Sequence, residues 1–213
     1  MHGDSLQGPV LRVLRYGDRA LLTEMTEGAV GGIRTALERA PLPGQVDVVA
    51  GARTVLVVLD RPPADTDVAR LRQLAAVPPA EDDAGTVTLD VVFDGPDLAD
   101  VARLTGHTAG SLTAVLTTVE LTVAFTGFAP GFGYLTGLPA DLHVPRRETP
   151  RTRVPAGSLG LAGPYAGIYP RASPGGWQLI GRTDAVLFDV ERDPPALLRP
   201  GTRVRFRMAE VPC

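Results

Sequence analysis

The residues best suited to chemistry lie in the second half of the chain. Pro145 to Ser158 reads PRRETPRTRVPAGS, with four arginines in eight residues. A guanidinium presents a planar fork of N–H donors that matches a carboxylate or a phosphate. A substrate carboxylate, a nucleotide phosphate or an acidic partner would all suit such a patch; the plainer reading is a solvated basic loop. His143, two residues before Pro145, and Ser158, after Gly157, are candidates for substrate binding. Ser158 lacks a G-x-S-x-G elbow, and His2, His107 and His143 are the only histidines that could serve as its base, so it is a poor nucleophile.

Two Gly/Pro-rich segments supply aromatic rings. Phe125 to Leu135 reads FTGFAPGFGYL, a loop of fixed path in which backbone can approach a ligand closely. Gly167 to Thr183 reads GIYPRASPGGWQLIGRT, whose Pro174-Gly175-Gly176 turn delivers Trp177, the only tryptophan, onto a strand. Phe132, Tyr134, Tyr169 and Trp177 are read as pocket walls, against the alternative of aromatics plugging the core at a Gly-kinked corner.

Composition removes several classes of function. The 213 residues carry a formal charge of −3, too balanced for a nucleic-acid binder that works by bulk charge. All 21 basic residues are arginine, so Schiff-base, P-loop and biotinyl lysines are excluded. The one cysteine, Cys213, rules out an internal disulfide and a thiolate zinc cluster. The histidines never fall at i, i+4 beside an acid, so no metal site is expected. No apolar run approaches the ~20 residues of a membrane span, and Met1–Val10 lacks a secretory pattern, so a cytoplasmic protein is expected.

The elements that must position these residues fall into two regimes. Residues 1–82 alternate strands and helices. Val10–Arg15 and Ala20–Thr23 read as strands, Val30, Ile33 and Leu37 as one helix stripe, and Val46–Val49 and Thr54–Leu59 as a hairpin. Asp67 is the expected cap of a second helix bearing Val68, Leu71 and Leu74. A ferredoxin-like α+β module is the expected fold. Pro78-Pro79 and Glu81-Asp82-Asp83 mark a linker. Residues 83–213 begin with the strand Thr86–Phe93 and two short helices, Pro96–Leu104 and Ser111–Thr117. Short strands between Gly/Pro turns follow: Leu121–Phe125, Gly157–Ala162, Trp177–Ile180, Ala185–Asp189 and Arg203–Arg207. That pattern predicts a β-barrel.

The strings GFAPGFGYLTGLP (Gly127–Pro139), PRRETPRTRVPAGSLGLAG (Pro145–Gly163) and GIYPRASPGGWQLIGRT (Gly167–Thr183) resemble the signatures of the 5-oxoprolinase B-subunit family. YGDRALL (Tyr16–Leu22) and GPDLADVA (Gly95–Ala102) extend the resemblance over nearly the whole chain. That family includes a sporulation kinase-inhibitor protein and allophanate hydrolase subunit 1, and is similar to a carboxyltransferase subdomain of urea carboxylase. The resemblance implies an α+β domain followed by a cyclophilin-like β-barrel. It implies action with a homologous C subunit and an A subunit, opening 5-oxoproline to glutamate. Within the matching motifs it makes Arg146, Arg151 and Arg182 the candidate catalytic cations, with Tyr134, Tyr169 and Trp177 beside them as pocket walls. ATP would be handled by the whole complex, through a phosphorylated intermediate. It also admits a regulator that inhibits a sensor histidine kinase, or a carboxyltransferase component whose biotin is carried by a partner. A prolyl isomerase is disfavoured, because the cyclophilin active-site pattern is not recognisable. Leu116 and Leu121 stand where relatives carry a histidine and a tyrosine, and Ala166 where they carry a threonine. These departures leave open an inactive or differently specialised member.

Overall fold

The computed structural model describes residues 10–26, 28–75 and 84–209. The expected linker at 78–83, the N-terminal nine residues and Cys213 lie outside them. The chain divides into two compact units, Met1–Asp82 and Asp83–Cys213.

The first unit runs β1 (Val10–Tyr16), β2 (Ala20–Met25), α1 (Val30–Arg39), β3 (Gln45–Ala50), β4 (Thr54–Leu59) and α2 (Asp65–Ala75). Its strands form one antiparallel sheet in the order β1-β2-β4-β3. The order of elements is therefore ββαββα, not the βαββαβ of a ferredoxin-like module. A hairpin precedes each helix, where a ferredoxin-like order places a single strand before its first helix and another after its second. β4 alternates strictly, burying Val55, Val57 and Leu59. The α1 stripe of Val30, Ile33 and Leu37 packs with them, as do Leu71 and Leu74 of α2. Asp67 is not the α2 cap. It lies inside the first turn and reaches back to accept the Ala64 N–H at 2.7 Å, while Arg61 clamps both its oxygens at 2.8 and 2.9 Å.

The second unit opens with β5 (Thr86–Val91), α3 (Leu98–Leu104), α4 (Ala109–Thr118), β6 (Glu120–Thr126) and β7 (Gly133–Thr136). After a short 3-10 turn at Ala140–Leu142 come β8 (Arg151–Val154), β9 (Ser158–Ala162), β10 (Tyr165–Ile168), β11 (Ser173–Gly175), β12 (Gln178–Arg182) and β13 (Arg203–Met208). Seven strands form a mixed sheet in the order β12-β9-β10-β7-β6-β13-β5, in which only β13 and β5 run parallel. The sheet curls until Val92, just past β5, bridges Arg182 at the end of β12 through two backbone hydrogen bonds of 2.9 Å. β8 and β11 make a separate two-stranded ribbon. The expected strand Ala185–Asp189 is reduced to one bridge between Phe188 and Ala196, because Pro194 and Pro195 opposite it cannot donate to a ladder.

Two clusters fill this unit. The larger includes Leu89, Val91, Leu112, Leu116, Leu121, Leu135, Ala166 and Ile180; the smaller gathers Phe132, Val154, Ala162, Tyr169, Trp177 and Leu179. Leu116, Leu121 and Ala166, which the sequence reading set apart, pack in the larger core rather than among the aromatic side chains. Among the described residues no helix is long and apolar enough to cross a membrane.

Candidate functional site

The arginine segment is strapped down before it is charged. Arg147 N–H donates to Gly176 O at 2.8 Å, Gln178 Nε2 donates to Pro145 O at 3.2 Å, and β8 pairs with β11. This brings 145–154 onto the turn that precedes β12.

Asp97 organises the side chains. Arg147 Nη1 and Arg151 Nη2 both donate to its Oδ1 at 2.8 Å, and the Leu179 N–H donates to its Oδ2 at 2.7 Å. The Asp97 N–H returns a bond to Leu179 O at 2.9 Å. Its residue exposure is only 3%. Gly95 makes the approach possible, since a Cβ there would run into the backbone of Leu179, Ile180 and Gly181. Burial pushes the Asp97 carboxyl up. The Arg151 hydrogen bond, the Leu179 N–H and the charges of Arg151 and Arg147 outweigh it, and hold the group below the usual carboxylate value.

The three arginines singled out by sequence part company. Arg151 joins the Asp97 cluster, and its neighbour there is Arg147, which the sequence did not single out. Arg182 lies apart, its Nε donating to Asp94 Oδ2 at 3.0 Å while its backbone closes the sheet. Arg146 is exposed and bonded to no described residue, yet its charge reaches the Tyr169 hydroxyl. His143 is also exposed, its Nε2 3.3 Å from Leu138 O. Ser158 is buried at the start of β9, where its carbonyl accepts the Tyr169 N–H at 3.0 Å.

The aromatic residues form a packed floor rather than open walls. Phe132 stands edge-on to Tyr169 and Trp177, both at 5.5 Å, and to Tyr134 at 5.0 Å. Phe125 stacks on Tyr134 at 4.3 Å. Phe132, Tyr169 and Trp177 are buried, and Tyr134 is half-buried. Gly167 lets the rings meet the strand: a Cβ there would lie 2.8 Å from Phe132 Cζ and 2.9 Å from Trp177 Cζ3. Burial pushes the Tyr169 hydroxyl above its usual pKa. The Trp177 N–H and the charges of Arg146 and Arg151 pull the other way without reversing the shift, so the phenol is neutral near pH 7.

Phe128 is the exposed ring of the group. It lies edge-on to Phe132 at 5.3 Å and Tyr169 at 6.0 Å with 57% of its surface exposed, and its φ of +68° is strained for a bulky side chain. The GFAPGF string marked the loop, but not which ring would face solvent. Asp97 was missed for another reason. In sequence it is one of two acids at the start of a helix, 50, 54 and 82 residues from the groups it binds.

His107 makes a second polar constellation, its Nδ1 3.2 Å from Ser111 Oγ and its Nε2 3.3 Å from Asp141 Oδ2. Ser111 Oγ is occupied by the capping box of α4, accepting the Thr108 N–H at 3.0 Å, which leaves it ill-placed to act as a nucleophile. Among the described residues no group of three or more His, Cys, Asp and Glu is placed to hold a metal ion. The chemistry that the arrangement offers is oxyanion binding by arginine beside a neutral aromatic surface.

Residues 11–198 match the family model of the carboxyltransferase domain, subdomain C and D. The B subunit of 5-oxoprolinase from Escherichia coli O157:H7 is 44% identical over 179 residues, covering 81% of this chain and 82% of that protein. The chain belongs to the 5-oxoprolinase B-subunit family. The Bacillus subtilis (strain 168) member of the B-subunit family is 33% identical over 218 residues, covering 93% and 89% of the two chains. Among solved structures, the crystal structure of TTHA0988 superposes with a TM-score of 0.76 at 35% identity over 91% of this chain. This chain spans only 40% of the length of TTHA0988. Both main features of the candidate B-subunit site, the GFAPGF loop and the arginine segment, fall inside the matched residues.

Proposed function

We propose that this chain is the B component of an ATP-dependent 5-oxoprolinase, acting with a homologous C subunit and an A subunit to open 5-oxoproline to glutamate. The observation that carries the reading is the juxtaposition of cationic and aromatic side chains. Arg151 pairs with Gly175 across the β8–β11 ribbon, Gly175 abuts the Tyr169 hydroxyl, and the ring of Tyr169 packs against Phe128 and Phe132. Arg146 precedes Arg147, whose N–H is held by Gly176 O at 2.8 Å. 5-Oxoproline is a small, flat lactam that carries one carboxylate. A guanidinium fork suits the carboxylate and an aromatic surface suits the ring.

The lactam amide is resonance-stabilised, and ATP supplies the driving force for opening it, with charge developing on the amide oxygen. Fixed positive groups stabilise such charge without reorganising. Arg146 is the residue best free to do so, since no described residue holds it. Tyr169, neutral and buried, orients the floor and is not a base. No nucleophile–base pair is found among the described residues of this site, which supports a role completed by partner subunits.

Purified alone, the chain is expected to hydrolyse no 5-oxoproline. The reconstituted B–C–A assembly is expected to convert it to glutamate with substrate-dependent ATP hydrolysis. Turnover by the lone chain, or an assembly whose ATPase ignores 5-oxoproline, would overturn the reading.

A further inference from the structure

We propose that Asp97 is the positioning residue of an oxyanion subsite in which Arg147 and Arg151 receive the negatively charged group of the ligand. This inference rests on the oxoprolinase reading and specifies which side chains hold the anion.

The first ground is what Asp97 does not do. It occupies the N-cap position of α3, yet its side chain forms no cap hydrogen bond. An aspartate there ordinarily accepts a helix N–H. Here the carboxylate turns away, joining the start of α3 to the arginine segment and to β12.

Charge balance is the second ground. In the first unit Asp67 shows how this chain builds a purely structural pair: one Arg61 covers both carboxylate oxygens. At Asp97 two guanidinium groups crowd onto a single oxygen. Two cations on one acid leave a net positive charge in a partly buried place, and the cations repel each other unless another anion arrives. Among the described residues no acid other than Asp97 is bonded to either arginine. From 145 to 183 the sequence holds six arginines and one acid, Glu148, and Asp94 bonds Arg182.

The third ground is unused donor capacity. Arg147 Nε and Arg151 Nη1 are both buried without a hydrogen-bond partner. Native structures rarely leave such groups unsatisfied, and an absent ion or ligand is a standing explanation. Those two atoms are themselves closed to solvent, but the two arginine side chains are 35% and 23% exposed, so an anion meets their open edges and a shift of the guanidinium groups brings the free N–H donors onto it.

The ligand class is a small oxyanion, a carboxylate or a phosphoryl group. Isothermal titration calorimetry of the full chain with 5-oxoproline, inorganic phosphate and 2-pyrrolidinone tests the subsite. 2-Pyrrolidinone is the same lactam without the carboxylate. 5-Oxoproline binding more tightly than phosphate assigns a carboxylate subsite, and the reverse a phosphoryl one; 2-pyrrolidinone is expected to bind least. Binding of neither anion overturns the proposal.

Asp97→Asn separates positioning from bulk charge. It adds one positive charge, so a diffuse basic surface would bind anions more tightly. Positioning predicts the opposite, a loss of about tenfold. Tighter or unchanged binding by a folded Asp97→Asn overturns the proposal. Should that variant not fold, Arg147→Gln leaves the Arg151 and Leu179 bonds to Asp97 in place. It is expected to show the same tenfold loss, and unchanged binding overturns the proposal. In the assembly, Arg147→Gln is expected to raise KM for 5-oxoproline more than it lowers kcat. Wild-type chain that binds an anion while its assembly ignores 5-oxoproline would defeat the oxoprolinase reading and leave the subsite standing.

Discussion

Asp97 and Leu179 exchange hydrogen bonds: the Leu179 N–H donates to Asp97 Oδ2 at 2.7 Å and the Asp97 N–H donates to Leu179 O at 2.9 Å. The N-terminal end of α3 and the strand β12 are thereby locked by one residue, and the same carboxylate anchors two arginines. Removing it strands both cations and a buried N–H. Asp97→Ala is therefore expected to cost about 3 kcal/mol of stability in the second unit. Denaturant unfolding followed by tryptophan fluorescence would show it, because Trp177 is the only tryptophan and packs with Leu179. A loss below about 1 kcal/mol, the size expected of an exposed ion pair, would contradict the burial argument.

Acid should find the same weak point. Asp97 titrates below its usual value when folded and near ~3.9 when unfolded, so its contribution is present above that unfolded value. It is lost as pH falls through the folded pKa. Asp67, held down by the Arg61 hydrogen bond against burial, has the same sign in the first unit. Stability measured from about pH 6 down to about 2, across the carboxylate range, should fall less steeply in Asp97→Asn than in wild type. Parallel curves would remove Asp97 as the cause.

From sequence alone, Arg151→Ala reads as a change that spares stability. Its bond to a buried carboxylate alters that expectation. A loss of about 1–2 kcal/mol should accompany reduced turnover, because one donor to a charged, buried acceptor disappears. Arg146→Ala, at an exposed side chain, should change stability by less than about 0.5 kcal/mol and still reduce turnover of the assembly. Equal stability losses for the two variants would reject this distinction.

Phe128 carries backbone strain at an exposed position. Phe128→Gly removes the Cβ that makes φ of +68° costly, a relief of about 1 kcal/mol that offsets the missing edge-on packing of the ring. Melting temperature is expected to stay level or rise while turnover by the assembly falls about tenfold. A variant with full activity would show that the strain serves the loop and not the site.

Gly167→Ala probes the floor. Its methyl group would press on Phe132 and Trp177, and overpacking of this kind costs about 1–3 kcal/mol. A shift in the fluorescence of folded Trp177 should accompany the loss.

How far the sequence was legible followed the range of the interactions. The α1 stripe at Val30, Ile33 and Leu37 was readable because a helix repeats its own spacing, and the pairing of β3 with β4 because a tight turn joins them. β7, β8, β10 and β11 left no such trace. Each has three or four residues, and all but β8 contain glycine, so they exist as strands only through partners elsewhere in the chain. The arginine run was visible as charge. Which arginine stays unclaimed depends on Asp97, half a hundred residues away, and no local pattern encodes that.

The parallel pairing of β5 with β13 joins the opening strand of the second unit to its last, with Asp90 and Arg207 bonded across 117 residues. During synthesis β5 leaves the ribosome long before its neighbour exists, and β6 must also wait for the strand that will lie between them. The first unit, whose strands all lie within its own residues, is free to fold at once. The second stays an open template until the final stretch emerges, so a nascent chain cut short before Arg203 would expose two sticky strand edges, a direct invitation to chaperones and to misassembly.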